Sequence, residues 1–241
     1  MDVKEHYDTH LADFYSWMTG RFEQKQQEQQ DYFLHHGIVP FAAGTAIDLG
    51  AGHGIQSVSL AKLGFKVMAI DFSIQLLGEL KQNSEGLTVE AINGDIRFVK
   101  NYAILQPELI VCAGDTITHL SSIQEIQQLI KDCAAILTGQ GKLVLSFRDY
   151  THALSGNDRF IPVKSDKNTI LTCCLDYTED MVQVTDLLYT RQDGSWQQRV
   201  SSYSKVRVSP DQIAGFLESS GFQILFTDTV NRMIMMVAQK R

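Results

Sequence analysis

Asp48-Leu49-Gly50-Ala51-Gly52-His53-Gly54 follows a short apolar run, Thr45-Ala46-Ile47, and precedes an apolar segment of helical period. That order predicts strand, glycine turn, helix. Glycine has no β-carbon, so a ligand can come close to the backbone of such a turn. The first amides of the helix that follows are free to meet polar or anionic groups.

Outward from this turn, residues 45 to 147 alternate between strand and helix patterns. Strands are expected over 46–49, 66–70, 88–92, 108–112 and 142–147. Helices are expected over 55–63, 74–82 and 123–137, with a short one near Val99. Ile123, Ile126, Ile130, Cys133, Ala134 and Leu137 share one helical stripe. Alternation of this kind argues for a parallel sheet covered on both faces by helices. Before it, residues 3 to 36 read as helix, with Leu11, Phe14, Tyr15 and Met18 at helical spacing. The polar stretch from Glu23 to Gln30 reads as a solvated helix face or a mobile segment.

The pattern changes after Tyr150. Runs over 169–177, 182–190 and 196–206 read as antiparallel strands, joined by turns at Thr178-Glu179-Asp180 and Gln192-Asp193-Gly194. Ser209-Pro210-Asp211-Gln212 supplies a cap, a proline at the first helical position and a capping-box glutamine. That helix should end near Gly221. Two last strands, 222–227 and 233–238, should form a hairpin closing the sheet edge. The expected architecture is α/β: a doubly wound, mostly parallel seven-stranded Rossmann-like sheet with a terminal antiparallel hairpin, an antiparallel β insert after the fifth strand, and an N-terminal helical lid. The domain division read from this is 1–44 for the lid, 45–150 with 209–241 for the core, and 151–208 for an insert covering the site.

The 241 residues suit one decorated domain, and 44% apolar content permits a sizeable core. The formal charge is −7, and no Lys/Arg cluster exceeds a pair, which argues against a nucleic-acid partner. Cys112, Cys133, Cys173 and Cys174 lack the paired spacing of a zinc site, and vicinal cysteines rarely bridge each other. Free thiols point to a reducing, cytoplasmic setting. Met1-Asp2-Val3-Lys4-Glu5 begins no apolar signal region, and no apolar run is long enough to cross a bilayer. No clustered His/Asp/Glu spacing suggests a metal.

A dinucleotide fingerprint would need glycine at 50, 52 and 55, but position 55 is Ile and the third glycine comes at Gly54. Asp71, closing the second strand, can accept both hydroxyls of a ribose. It fits either kind of nucleotide cofactor.

Three features in order resemble the class I S-adenosylmethionine-dependent methyltransferases. These are Asp48 with Gly50, Gly52 and Gly54; Asp71 in Ile70-Asp71-Phe72-Ser73; and Asp95 in Asn93-Gly94-Asp95-Ile96. The resemblance implies S-adenosyl-L-methionine as cofactor. The glycine turn, with Ala51, would pack against its methionine end, Asp71 and Phe72 would hold the ribose, and Asp95 with Gly94 and Ile96 the adenine; Cys112, ending the fourth strand, belongs to the same implied set. A narrower resemblance is to the glycine N-methyltransferase group of small-molecule enzymes. It lies in Cys112-Ala113-Gly114-Asp115, His119-Leu120, Arg148-Asp149-Tyr150, Leu175-Asp176-Tyr177-Thr178 and Ser202-Tyr203. In that family the arginine matched by Arg148 grips the carboxylate of an amino-acid substrate, and a guanidinium fork suits that task.

The family asparagine is Asp115 here. The acid could favour a cationic or amine substrate, act as a base, or merely pair with Arg148. Arg148 could equally pair Asp149 or another surface acid, and Asp115 could merely cap a short loop. His119 could be a base, although the family places its counterpart as structural. Tyr7, Tyr15 and Trp17 on the lid, and Tyr203 in the insert, could line a pocket over a sulfonium, where aromatic faces suit a cation, or simply pack. The expected activity is methyl transfer to a small-molecule acceptor, an amine or amino acid. Two other classes share some of these features: a nicotinamide-dependent oxidoreductase and a non-catalytic cofactor-binding domain. The strand-rich insert offers edges that could pair in a homo-oligomer.

Overall fold

The computed structural model describes residues 3–241; Met1-Asp2 of the amino-terminal stretch discussed above lie outside the described residues. The first segment is a jointed strap rather than one helix. It comprises α1 (Val3–His6), a π turn over Tyr7–Leu11, a 3-10 turn over Ala12–Phe14, and α2 (Tyr15–Thr19). Gly20, at φ +97°, ends it, and α3 (Phe22–His35) follows. His6, His10 and Leu11 are buried along this strap, and Tyr7 and Leu11 also line a cavity. The polar 23–30 stretch is ordered within α3, which buries Gln26 and Phe33.

The next elements are β1 (Thr45–Leu49), α4 (Ile55–Lys62), β2 (Lys66–Asp71), α5 (Ile74–Asn83), β3 (Val89–Asn93) and β4 (Leu109–Cys112). Then come α6 (Ile123–Ile136) and β5 (Lys142–Phe147). The helix expected near Val99 is a 3-10 segment, Ile96–Leu105, broken at Phe98 and Tyr102. The insert contains β6 (Phe160–Ser165), β7 (Thr169–Tyr177), β8 (Met181–Gln192) and β9 (Ser195–Val206), and α7 (Pro210–Ser219), β10 (Phe222–Val230) and β11 (Met233–Lys240) complete the chain. Strand β6 escaped the sequence reading because Pro162 interrupts it. The strand tolerates proline by lying at the sheet edge, with a bulge between Pro162 and Lys164. The capping box at Ser209 and Gln212 is present.

The seven-stranded sheet runs β10-β11-β5-β4-β1-β2-β3. β1 through β5 are parallel, and the β10–β11 hairpin is antiparallel against β5. The four insert strands form a second sheet, β6-β7-β8-β9. Ile126, Ile130 and Cys133 of α6 pack on one face of the main sheet, against Ile47, Ile110 and Leu145. Phe33, Ile38 and Leu60 cover the other face. The strand order reverses between β1 and β4, so a crevice opens at the carboxyl ends of those strands, where open α/β sheets bind ligands. No helix among the described residues is long and apolar enough to cross a membrane.

Candidate active site

A cavity of about 1270 Å³ opens over that crevice, roofed by the strap and walled by the insert. At one end lies the glycine turn. Gly50 and Ala51 donate their amides to the Ile70 carbonyl of β2, at 2.8 and 3.1 Å, so the turn is clamped onto the neighbouring strand. Asp71 accepts the Gly52 amide and the Ser73 amide, both at 2.8 Å. Burial is the dominant influence on its carboxyl and raises its pKa despite those bonds. Tyr15 of the strap lies over Gly52, and Tyr7 meets Phe72 edge-on with centroids 5.2 Å apart.

Asp95 caps the Ile96–Leu105 segment by accepting the Arg97 amide at 2.9 Å, and it is gripped by the Arg97 guanidinium. Partial burial works against its charge, but the Arg97 bonds outweigh burial and hold its pKa low. Arg97 also reaches Glu125, at 3.3 Å.

The other end is built around Asp115, in a left-handed turn at φ +74° after β4. This carboxylate accepts the Arg148 backbone amide at 2.9 Å and the Tyr150 hydroxyl at 2.7 Å, and it forms an ion pair with Lys205. Burial opposes its charge most strongly, yet Lys205 and the Arg148 amide together keep its pKa below the ordinary value. Of the roles expected for Asp115, the pairing with the Arg148 side chain is corrected. Asp115 meets the backbone of Arg148, not its guanidinium, and it is a fully engaged carboxylate poorly suited to take up a proton. The Arg148 guanidinium forms no hydrogen bond or ion pair among the described residues and stands on the cavity wall.

His119 is neutral, since burial first and Lys205 second push its pKa well down. Its ring stacks on Tyr203 at 5.4 Å, and its Nδ1 has no partner. Tyr203 is also covered by His6 at 4.2 Å.

Of the residues singled out in the sequence, one cavity wall brings together Gly50, Ala51, Gly52, Asp71, Phe72, Gly94, Asp95 and Ile96 with Asp115, His119, Arg148, Tyr15 and Tyr203. Asp48, Gly54 and Cys112 stand behind that wall. Asp48 is buried beneath the turn and accepts the Ser57 hydroxyl at 2.5 Å. Gly54 caps α4 beside Leu80, and Cys112 is sealed in the core. Trp17 turns away, donating to Asp166 of the insert at 2.6 Å.

Sequence reasoning missed Lys205, Asp186 and His6. Lys205 was within reach of it: strand alternation puts it on the same face as Tyr203. Asp186 left a second signal. It stands among Val182, Val184 and Leu188 on the buried face of β8, a charge in an apolar row.

Residues 46–141 match the methyltransferase domain family. A glycine/sarcosine/dimethylglycine N-methyltransferase of Actinopolyspora halophila is 27% identical over 133 residues, covering 54% of this chain and 24% of the relative. Human glycine N-methyltransferase is 26% identical over 194 residues, covering 71% of this chain and 66% of the relative. The chain thus spans less than half the length of the first curated relatives that it matches. Among solved structures, the CcbJ methyltransferase of Streptomyces caelestis has the same fold, with a TM-score of 0.78, 16% identity and 98% of both chains covered. Residues 46–141 thus match a methyltransferase domain, and the chain is similar in sequence to glycine N-methyltransferases.

Proposed function

We propose that this chain transfers a methyl group from S-adenosylmethionine to the amine of a small acceptor that carries a carboxylate. One observation carries the reading: a single cavity joins the glycine turn and Asp71 at one end to an acid-free guanidinium, Arg148, at the other. The residues at the first end fit the cofactor. Gly50 and Gly52, at φ +74° and +53°, form a cradle that side chains would fill. Asp71 retains free lone pairs beside its two amide bonds, suited to ribose hydroxyls. Phe72 and Ile96 supply apolar contact, and Asp95 stands beside them.

When bound, the cofactor supplies a methyl group on a positively charged sulfur. The protein's task is then to align the acceptor and exclude water, and alignment alone can be worth on the order of 7–11 kcal/mol in the best intramolecular cases. In this reading residues 45–150 and 209–241 hold the cofactor. The strap and the 151–208 insert, which brings Cys173, Asp186, Tyr203 and Lys205 to the cavity, select the acceptor. The N-methyltransferase relatives support an amine acceptor, and Arg148 supports a carboxylate on it.

Calorimetry with S-adenosylhomocysteine tests the reading. The wild-type protein should bind it, and Asp71→Ala should lose at least about tenfold in affinity, the scale of one charge-assisted hydrogen bond. Binding of reduced nicotinamide dinucleotide in its place would overturn the reading in favour of an oxidoreductase.

A further inference from the structure

Helix α3 serves as a ruler along the cavity. At its start Phe22 meets His53 of the glycine turn, with centroids 5.3 Å apart. Just past its end His36 stacks on Phe226 of β10 at 4.2 Å. Between these anchors Lys25, Glu28, Gln29 and Tyr32 line the cavity, at the i, i+3, i+4, i+7 spacing of one helix face. Tyr32 lies roughly 15 Å along the axis from Phe22, and it packs on the same core cluster as Phe226 and Val230. Val230, Asn231 and Met233 of the β10–β11 hairpin line the cavity as well. A chamber of about 1270 Å³ exceeds the roughly 300–1,000 Å³ of a pocket for one drug-sized ligand. Beyond a cofactor it has room for more than a two-carbon acceptor.

Two buried polar atoms on this face of α3 have no partner among the described residues: Gln29 Nε2 and Tyr32 Oη. The other glutamines of the helix are engaged along it. Gln24 bonds Glu28, Gln26 bonds Gln30 and Gln27 bonds Asp31, at 2.9, 2.9 and 2.8 Å. The two charges on the face, Lys25 and Glu28, pair with each other at 2.7 Å. Burial first, and Asp228 second, push the Tyr32 hydroxyl up to about 12, so it stays a neutral donor. A buried donor without a partner is costly. A side-chain amide presents a donor and an acceptor in one plane, and a peptide group presents the matching pair.

We propose that Gln29 and Tyr32 form a distal subsite that hydrogen-bonds an amide of the acceptor, so that the acceptor is a peptide-like amine extended beyond a free amino acid. The proposal rests on the methyltransferase reading of the same cavity. Three extended residues span roughly 10 Å, the scale of the stretch from the glycine turn toward Tyr32. An alkyl extension would leave both polar atoms bare, and a single amino acid would end short of them.

The test is calorimetry on the protein saturated with S-adenosylhomocysteine, using glycine, triglycine, 8-aminooctanoate and glucosamine. The first three each carry one amine and one carboxylate, so those charges do not separate them. Triglycine and 8-aminooctanoate also match in chain length and differ in the amides. Triglycine should bind at least about tenfold more tightly than the other three. Gln29→Leu and Tyr32→Phe should each weaken triglycine by about three- to tenfold, and leave 8-aminooctanoate and S-adenosylhomocysteine within about twofold. Tyr32→Phe removes one oxygen and keeps the ring, so the thermal midpoint should not fall. A fall would show the hydroxyl already bonded within the fold and would overturn the proposal. So would triglycine binding no tighter than 8-aminooctanoate, glucosamine binding more tightly than triglycine, or variants that bind triglycine as the wild type does. If no acceptor binds while S-adenosylhomocysteine does, the distal subsite fails and the methyltransferase reading stands. If S-adenosylhomocysteine fails too, both fall.

Discussion

A β-carbon at Gly50 would overlap the Thr116 side chain, and its φ of +74° is one that L side chains rarely adopt. Gly50→Ala therefore meets two separate penalties, backbone strain and overpacking, of about 1–3 kcal/mol each. Urea unfolding should show the loss, and the added Thr116→Ala change should return the steric share but not the backbone share. Asp48, beneath the same turn, is governed by burial, which pushes its carboxyl up to about 7. The folded protein thus binds a proton that the unfolded chain gives up near pH 4. Stability from this group is fully present below the unfolded pKa and is lost as pH rises toward 7. Asp48→Asn should remove that slope and raise stability at pH 7.5 relative to pH 5, with a ceiling of about 4 kcal/mol from a shift of roughly three pKa units. Urea midpoints of both proteins across that range check the sign.

At the scale of elements, Lys205 and Asp115 stitch β9 of the insert to the turn after β4, and Tyr150 and the Arg148 amide bring in the chain after β5. Lys205→Met alone strands a buried carboxylate and should cost about 3–5 kcal/mol, while Lys205→Met with Asp115→Asn should recover most of it. The low pKa of Asp115 gives this stabilisation a pH window: present above the ordinary carboxylate value, lost as acid protonates the folded group below it. A double-mutant cycle by urea unfolding at pH 7 would measure the coupling, and additive losses would show that the pair does not act as a unit.

Over the whole molecule, the parallel core was readable because each strand there is a short apolar run bounded by glycine or polar turns, as at Ile47 and Ile70. The strap was not, since helical spacing cannot distinguish one helix from a π turn and a 3-10 turn in series. The cavity wall was legible where the chain makes it locally, at Gly50, Gly52 and Asp71. It was opaque where two sheets meet: nothing near Asp115 in the sequence announces a lysine ninety residues on. One feature of the sheet order bears on how the chain is made. β11 lies inside the sheet, between β10 and β5, and Met233 and Met235 line the cavity. During synthesis β5 keeps an open edge until residues 233–240 leave the ribosome. A nascent chain stalled before that point leaves the β5 edge unpaired and the chamber half-walled, a strand edge open to pairing with other chains.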